Sequence, residues 1–246
     1  MKKLATALGL MLLLATQAAA QIPSIDQLVP PGDPTASGRI LQFVALLTVL
    51  SVAPGLLIMV TSFTRIVIAL SFLRSGLGLQ TTPANIVLVS LALFMTFYIM
   101  GPTFDRAWTQ GVEPLMKREI TEQEAYQRIT APFRTFMRAN VREKDLQLFA
   151  DLAAETLKPR PGTDTEIDMR VLIPAFMISE LRRAFEIGFL VVLPFLVIDM
   201  IVATLTMSMG MMMLPPTVIS LPFKVLFFVL IDGWNMLVGS LIRSFV

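Results

Sequence analysis

The feature that most constrains this chain is a set of four long apolar runs with almost no charge inside them. No residue between Arg39 and Arg65 is charged, and Ile40 to Val60 is almost wholly apolar. Asn85–Gly101 (NIVLVSLALFMTFYIMG) is a second uncharged run. Leu172–Met207 is a third, interrupted by Glu180, Arg182, Arg183, Glu186 and Asp199, and Val218–Phe245 is a fourth, holding Lys224, Asp232 and Arg243. Runs of about this length read as membrane-spanning helices. None shows the period-two alternation of a strand. Charged residues are 15% of the chain, against about 25% in soluble domains, and 23 of the 38 charges fall between Pro102 and Arg170. The expected fold is an all-α integral membrane protein of kinked helical hairpins. Residues 39–101 form the first hairpin, 102–170 a small helical domain outside the membrane, and 171–246 the second hairpin.

The N-terminus reads as an address. Lys2 and Lys3 precede the apolar stretch Leu4–Ala15, and Ala18, Ala19 and Ala20 offer a small-residue cleavage site before Gln21, the pattern of a signal peptide over residues 1–20. The other reading, a first transmembrane helix, needs about 20 apolar residues. Residues 21–38 carry Pro23, Pro30, Pro31 and Pro34 and are expected to be an extended periplasmic N-terminus. With Gln21 outside, the turn holding Arg65 and Arg74 is cytoplasmic, as the positive-inside bias favours. Residues 102–170 are then periplasmic or the equivalent, and the turn at Met211 lies on the inner side of the membrane.

Composition removes many function classes. The chain has no Cys and no His, which takes away disulfides, thiol chemistry, the commonest general base and the commonest zinc ligand. No acidic pair in the polar region has a nearby nucleophile, and there is no G-x-x-x-x-G-K-[ST] loop. No cofactor or metal and no enzymatic activity are expected. The formal charge of +2 includes Lys2 and Lys3, and no run of five Lys/Arg occurs, so the footprint of a nucleic-acid binder is missing.

Local signals fill in the elements. Pro54-Gly55 and Pro194 lie inside apolar runs, where each proline removes a donor and is expected to kink its helix. Gly76 and Gly78 mark a helix stop and turn. Thr121-Glu-Gln-Glu124 is a capping box, and Thr130 is expected to cap a second helix with Pro132 in its first turn. Phe133, Phe136, Met137 and Val141 make one apolar stripe. Leu146, Phe149, Leu152, Ala153 and Leu157 make another.

Two features stand out chemically. The first is Met207-Ser-Met209-Gly210-Met211-Met212-Met213-Leu214-Pro215-Pro216. Met has three rotatable side-chain bonds and a polarizable sulfur, which suits a changing surface. Gly210 permits unusual backbone shapes, and the two prolines stop the helix. A ring of such turns would exclude water and ions yet yield to a polypeptide. A methionine-rich hairpin packed in a core is the alternative. The second feature is charge within the apolar runs, which is expensive at the bilayer centre. Asp199 and Lys224 flank the methionine turn at 12 residues before Met211 and 11 after Met213, so an intramembrane ion pair is expected. The rival is a proton-relay Asp199 in a small-solute or proton transporter. Glu180, Arg182, Arg183 and Glu186 stand at helical spacings and can pair along one helix or between subunits.

The stretch Pro174-Ala-Phe-Met-Ile-Ser-Glu-Leu-Arg-Arg-Ala-Phe-Glu-Ile-Gly-Phe189 resembles the signature of the FliP family of flagellar export-gate proteins, and Pro194-Phe-Leu-Val-Ile-Asp199 resembles its second signature. Met207–Pro216, Leu221–Lys224 through Trp234, Thr61–Pro83 and Pro132–Leu152 are also similar to that family. The resemblance implies a pentameric assembly of this chain with FliQ and FliR in the flagellar basal body, with FlhB and FlhA as further partners. It implies a gate through which unfolded flagellar subunits are exported, driven by energy from elsewhere in the apparatus. It assigns the gasket to Met209, Gly210, Met211, Met212 and Met213, and the family's acid–base pair to Asp199 and Lys224.

Overall fold

A computed structural model describes residues 34–156, 167–211 and 215–245. Residues up to Pro54 form one unit and Gly55–Val246 the other. The expected signal peptide, its cleavage point at Ala20 and Gln21, and residues 21–33 lie outside the described residues.

Helix α1 spans Pro34–Val60. Proline is well tolerated at the first helical position, where its missing N–H has no intrahelical partner to lose, and residues 34–38, expected as part of an extended N-terminus, are helical instead. α1 runs without interruption through Pro54 and Gly55. The break falls later, at Thr61-Ser62, where the Thr61 hydroxyl accepts from the Phe63 N–H at 3.4 Å and donates to the Ile58 carbonyl at 3.5 Å. Such local side-chain bonds compete with the helical ladder.

Helix α2, Phe63–Gly76, was expected to be part of a cytoplasmic turn and is instead a core element. Its Ile66, Ala69, Leu70 and Leu73 are buried against Leu88, Ala92 and Met95 of α3 (Asn85–Ala107) and Phe195 of α7 (Met169–Ser208). Phe228 of α8 (Pro216–Leu230) and Leu237 and Leu241 of α9 (Gly233–Arg243) complete this cluster. The charges that seemed to end the first apolar run mislead here, because Arg65 finds its counter-charge inside the protein.

α3 continues past Gly101 through Pro102 into a π-helical turn, Trp108–Val112, and the short α4, Glu113–Met116. α5 spans Glu122–Asn140 and starts as expected, with the Thr121 hydroxyl accepting from the Glu124 N–H at 3.3 Å. The second helix expected at Thr130 does not form. The Thr130 hydroxyl donates back to the Tyr126 carbonyl at 2.8 Å, and Pro132 sits inside one continuous helix. α6 spans Glu143–Thr156. Phe133, Phe136, Met137, Val141, Leu146, Phe149 and Ala153 form a second core with Val171, Leu172, Ala175 and Phe176 of α7. The polar region is therefore seated on the first turns of α7. Leu152 is exposed, and Leu157 lies outside the described residues.

Among the described residues, three helical stretches are long and apolar enough to cross a membrane: Leu41–Val60, Asn85–Met116 and Met169–Ser208. The fourth apolar run was expected as one segment. It is broken into α8 and α9, which meet at 64°, with Asp232 at φ 51 between them. α7 passes through both Pro174 and Pro194 as a single helix of 40 residues.

Candidate functional site

Two ion pairs fasten α7 to its neighbours, and the first joins it to α2. Arg65 Nε donates to Glu180 Oε2 at 2.8 Å, and Arg65 Nη2 donates to Glu180 Oε1, so the pair is bidentate. Both side chains have no solvent exposure. Arg65 Nη1 also donates to the Ser244 carbonyl at 2.8 Å and to its hydroxyl at 2.9 Å, and the guanidinium lies 3.6 Å from the centre of the Phe245 ring. A planar five-donor group suits this fork, since every face of it meets an acceptor or a ring. Glu180 had been grouped with Arg182, Arg183 and Glu186 as an interface charge. Its full burial rules out an outward-facing role. Of the others, Arg182 Nε donates to Glu186 Oε1 at 2.9 Å one turn along, on an exposed face, and Arg183 is half-buried.

α2 and α7 run parallel and close together. Arg65 meets Glu180, a Cβ at Gly188 would stand 2.5 Å from the Phe72 ring, and one at Gly76 would stand 3.0 Å from Val192 and Phe195. Glycine at these two positions lets the helices approach where a larger residue would collide.

The second pair lies nearer the methionine turn. Lys224 Nζ donates to Asp199 Oδ2 at 2.6 Å and to the Gly76 carbonyl at 3.1 Å. Ser220 Oγ donates to Asp199 Oδ1 at 2.5 Å. Lys224 and Ser220 are buried, and the Asp199 side chain is 26% exposed. The structure thus brings Asp199 and Lys224 together, and adds Ser220 and the end of α2, which spacing did not indicate.

The methionine turn begins where α7 ends. Gly210 has φ +75, its N–H donates to the Met207 carbonyl at 3.1 Å, and the Met211 N–H donates to the Thr206 carbonyl at 3.1 Å. This is a Schellman cap, in which a left-handed residue terminates the helix, and few residues but glycine adopt it without strain. Met207, Met209 and Met211 are exposed. Met212 and Met213 lie outside the described residues. On the far side, Pro215 precedes α8 and Pro216 occupies its first turn. Among the described residues no group of three or more acidic side chains could hold a metal ion.

Residues 46–241 match the FliP family, which is most of the chain and includes both ion pairs and the turn. The chain belongs to the FliP family. It is 62% identical over 246 residues to the flagellar biosynthetic protein FliP of Rhizobium meliloti (strain 1021), covering 100% of each chain. It is 51% identical to that of Bacillus subtilis (strain 168), over 87% of this chain and 95% of the relative, and 44% identical to that of Aquifex aeolicus (strain VF5), over 97% and 98%. Within this FliP-family chain, Arg65, Ser220 and Ser244 are the site residues that sequence reasoning missed. Arg65 did leave a signal, as the first charge after an uncharged run from Ile40 to Thr64.

Proposed function

We propose that this chain is a core subunit of the flagellar protein export gate and forms the pore through which unfolded flagellar subunits leave the cytoplasm. The observation that carries this is the methionine-rich turn, capped by Gly210 and held between two helices that are clipped together by Asp199 and Lys224. A ring of such turns, one per subunit, closes around a threaded chain because thioether side chains repack at little cost and because a dry constriction holds back ions. Membership of the FliP family supports the setting, since its named members are flagellar biosynthetic proteins.

In this reading the assembly is a pentamer with FliQ and FliR, neighboured by FlhB and FlhA, in the inner membrane at the flagellar basal body. The exposed apolar side chains Phe185, Phe189 and Leu190, beside Arg182 and Glu186, fit an interface between subunits. The chain itself is not an enzyme. The rival reading, a small-solute or proton transporter built on Asp199, finds no support: both carboxylate oxygens of Asp199 are already engaged.

The test is a photo-crosslinker at Met211 or Met212 in cells holding a stalled export substrate. Capture of the substrate is expected there. Capture confined to positions on the outer surface would overturn the gasket. In parallel, changing Met211, Met212 and Met213 to Ala is expected to raise ion leak through the assembled gate.

A further inference from the structure

The Asp199–Lys224 pair closes on the end of a third helix, and the way α2 ends explains why. Leu79 N–H donates to the Arg74 carbonyl at 3.2 Å and Gly78 N–H to the Ser75 carbonyl at 3.0 Å, with Gly78 at φ +79. This cap satisfies the carbonyls of Ser75 and Arg74 and leaves that of Gly76 as an orphan at the negative end of the helix. Lys224 Nζ donates to that carbonyl at 3.1 Å. The small size of Gly76 lets the backbone sit against Val192 and Phe195, which brings its carbonyl within reach of α8.

One turn before Lys224 stands Ser220, fully buried, while Phe223 and Leu226 on the other faces of α8 are exposed. Its hydroxyl lies 3.1 Å from the Thr217 carbonyl and closer, at 2.5 Å, to the carboxylate oxygen that Lys224 does not take. Two donors from the same helix therefore fix the plane of the Asp199 carboxylate, and the ammonium is held between that carboxylate and the Gly76 carbonyl. α2, α7 and α8 meet at this one point. The two helices that meet there with α2 are those that frame the methionine turn.

We propose that Ser220 is a positioning residue of the gate. Acting through Asp199, it keeps Lys224 on the Gly76 carbonyl, and the resulting three-helix latch holds the methionine turn in its sealing position. This rests on the gasket assignment above. No spacing motif marks Ser220, which stands 21 residues from Asp199 in the chain.

The experiment is ion leak through the purified export-gate complex in liposomes, normalised to assembled complex, for Ser220→Ala, Ser220→Cys and Ser220→Thr. Removing a buried donor from a charged acceptor is expected to raise leak roughly tenfold in Ser220→Ala. Ser220→Cys, a weaker donor, falls between, and Ser220→Thr stays near the parent. A packing role orders the variants by volume instead, with Ser220→Thr the worst, and that order overturns the proposal. So does parental leak in Ser220→Ala. If Ser220→Ala does not assemble, the comparison of Cys with Thr decides. If the three-methionine variant leaks and Ser220→Ala does not, only the latch fails. If neither leaks, the gasket assignment fails with it.

Discussion

The two ion pairs on α7 differ in how fully they are enclosed, and under the proposed function the difference separates a fastening from a moving part. Arg65–Glu180 is bidentate, dry on both sides and backed by Ser244 and the Phe245 ring. Lys224–Asp199 is a single contact, shared with a hydroxyl and a backbone carbonyl, and its acid keeps a quarter of its side-chain surface exposed. A pair that is dry on both sides cannot open without stranding a buried carboxylate. A pair with one wet partner and alternative acceptors can rearrange at modest cost, which suits a gate.

The contrast predicts a graded series. Arg65→Met should have the largest effect, a loss of about 3–5 kcal/mol, because it leaves Glu180 buried and unpaired. Thermal unfolding in detergent should show this, and Arg65→Met combined with Glu180→Met should recover much of it. No recovery would mean that the pair matters through Ser244 and Phe245 more than through its charge. Lys224→Met should lose about 1–3 kcal/mol in the same assay, since water can reach Asp199, yet it should abolish export. Recovery of export when Asp199→Lys and Lys224→Asp are combined would mark the pair itself as the working unit. Gly76→Ala should lose about 1 kcal/mol, because its Cβ enters the Val192 and Phe195 contacts and crowding in a packed interface is tolerated poorly. It should also weaken the Lys224 contact, visible as raised ion leak. Arg182→Ala should change stability by less than about 0.5 kcal/mol, as exposed pairs do. Its effect should appear in the yield of assembled oligomer. A large stability loss there would mean that the exposed and buried charges of α7 are coupled.

Much of this was legible in the sequence, for reasons that particular residues make plain. Asp199 and Lys224 stood out because each is nearly alone among apolar neighbours, and their offsets from the turn made similar depth plausible. Gly76, Gly78, Gly210 and Thr121 carry local turn and cap chemistry that does not depend on distant contacts, and they read correctly. α2 was hidden because counting charges treats every Arg as facing water, and Arg65 faces Glu180 from 115 positions away. The kinks expected at Pro54 and Pro194 left both helices unbroken. A missing donor costs a helix one bond, and in both helices the ladder continues on either side of it. The real breaks, at Thr61-Ser62 and Asp232, come from a hydroxyl that bonds locally and from a left-handed residue outside the usual glycine pattern. Ser220 carried no sequence signal, because a hydroxyl in an apolar helix is ordinary until its partner is known.

At 40 residues, α7 is about 60 Å long, twice the roughly 30 Å hydrocarbon thickness of a bilayer. Standing near the membrane normal, such a rod reaches well beyond the hydrocarbon layer. Its first turns carry the polar helices α5 and α6, its far end carries the methionine cap, and Glu180 and Asp199 lie between. Under the proposed function, a tilt imposed at the polar end is delivered, as by a lever, at the methionine cap.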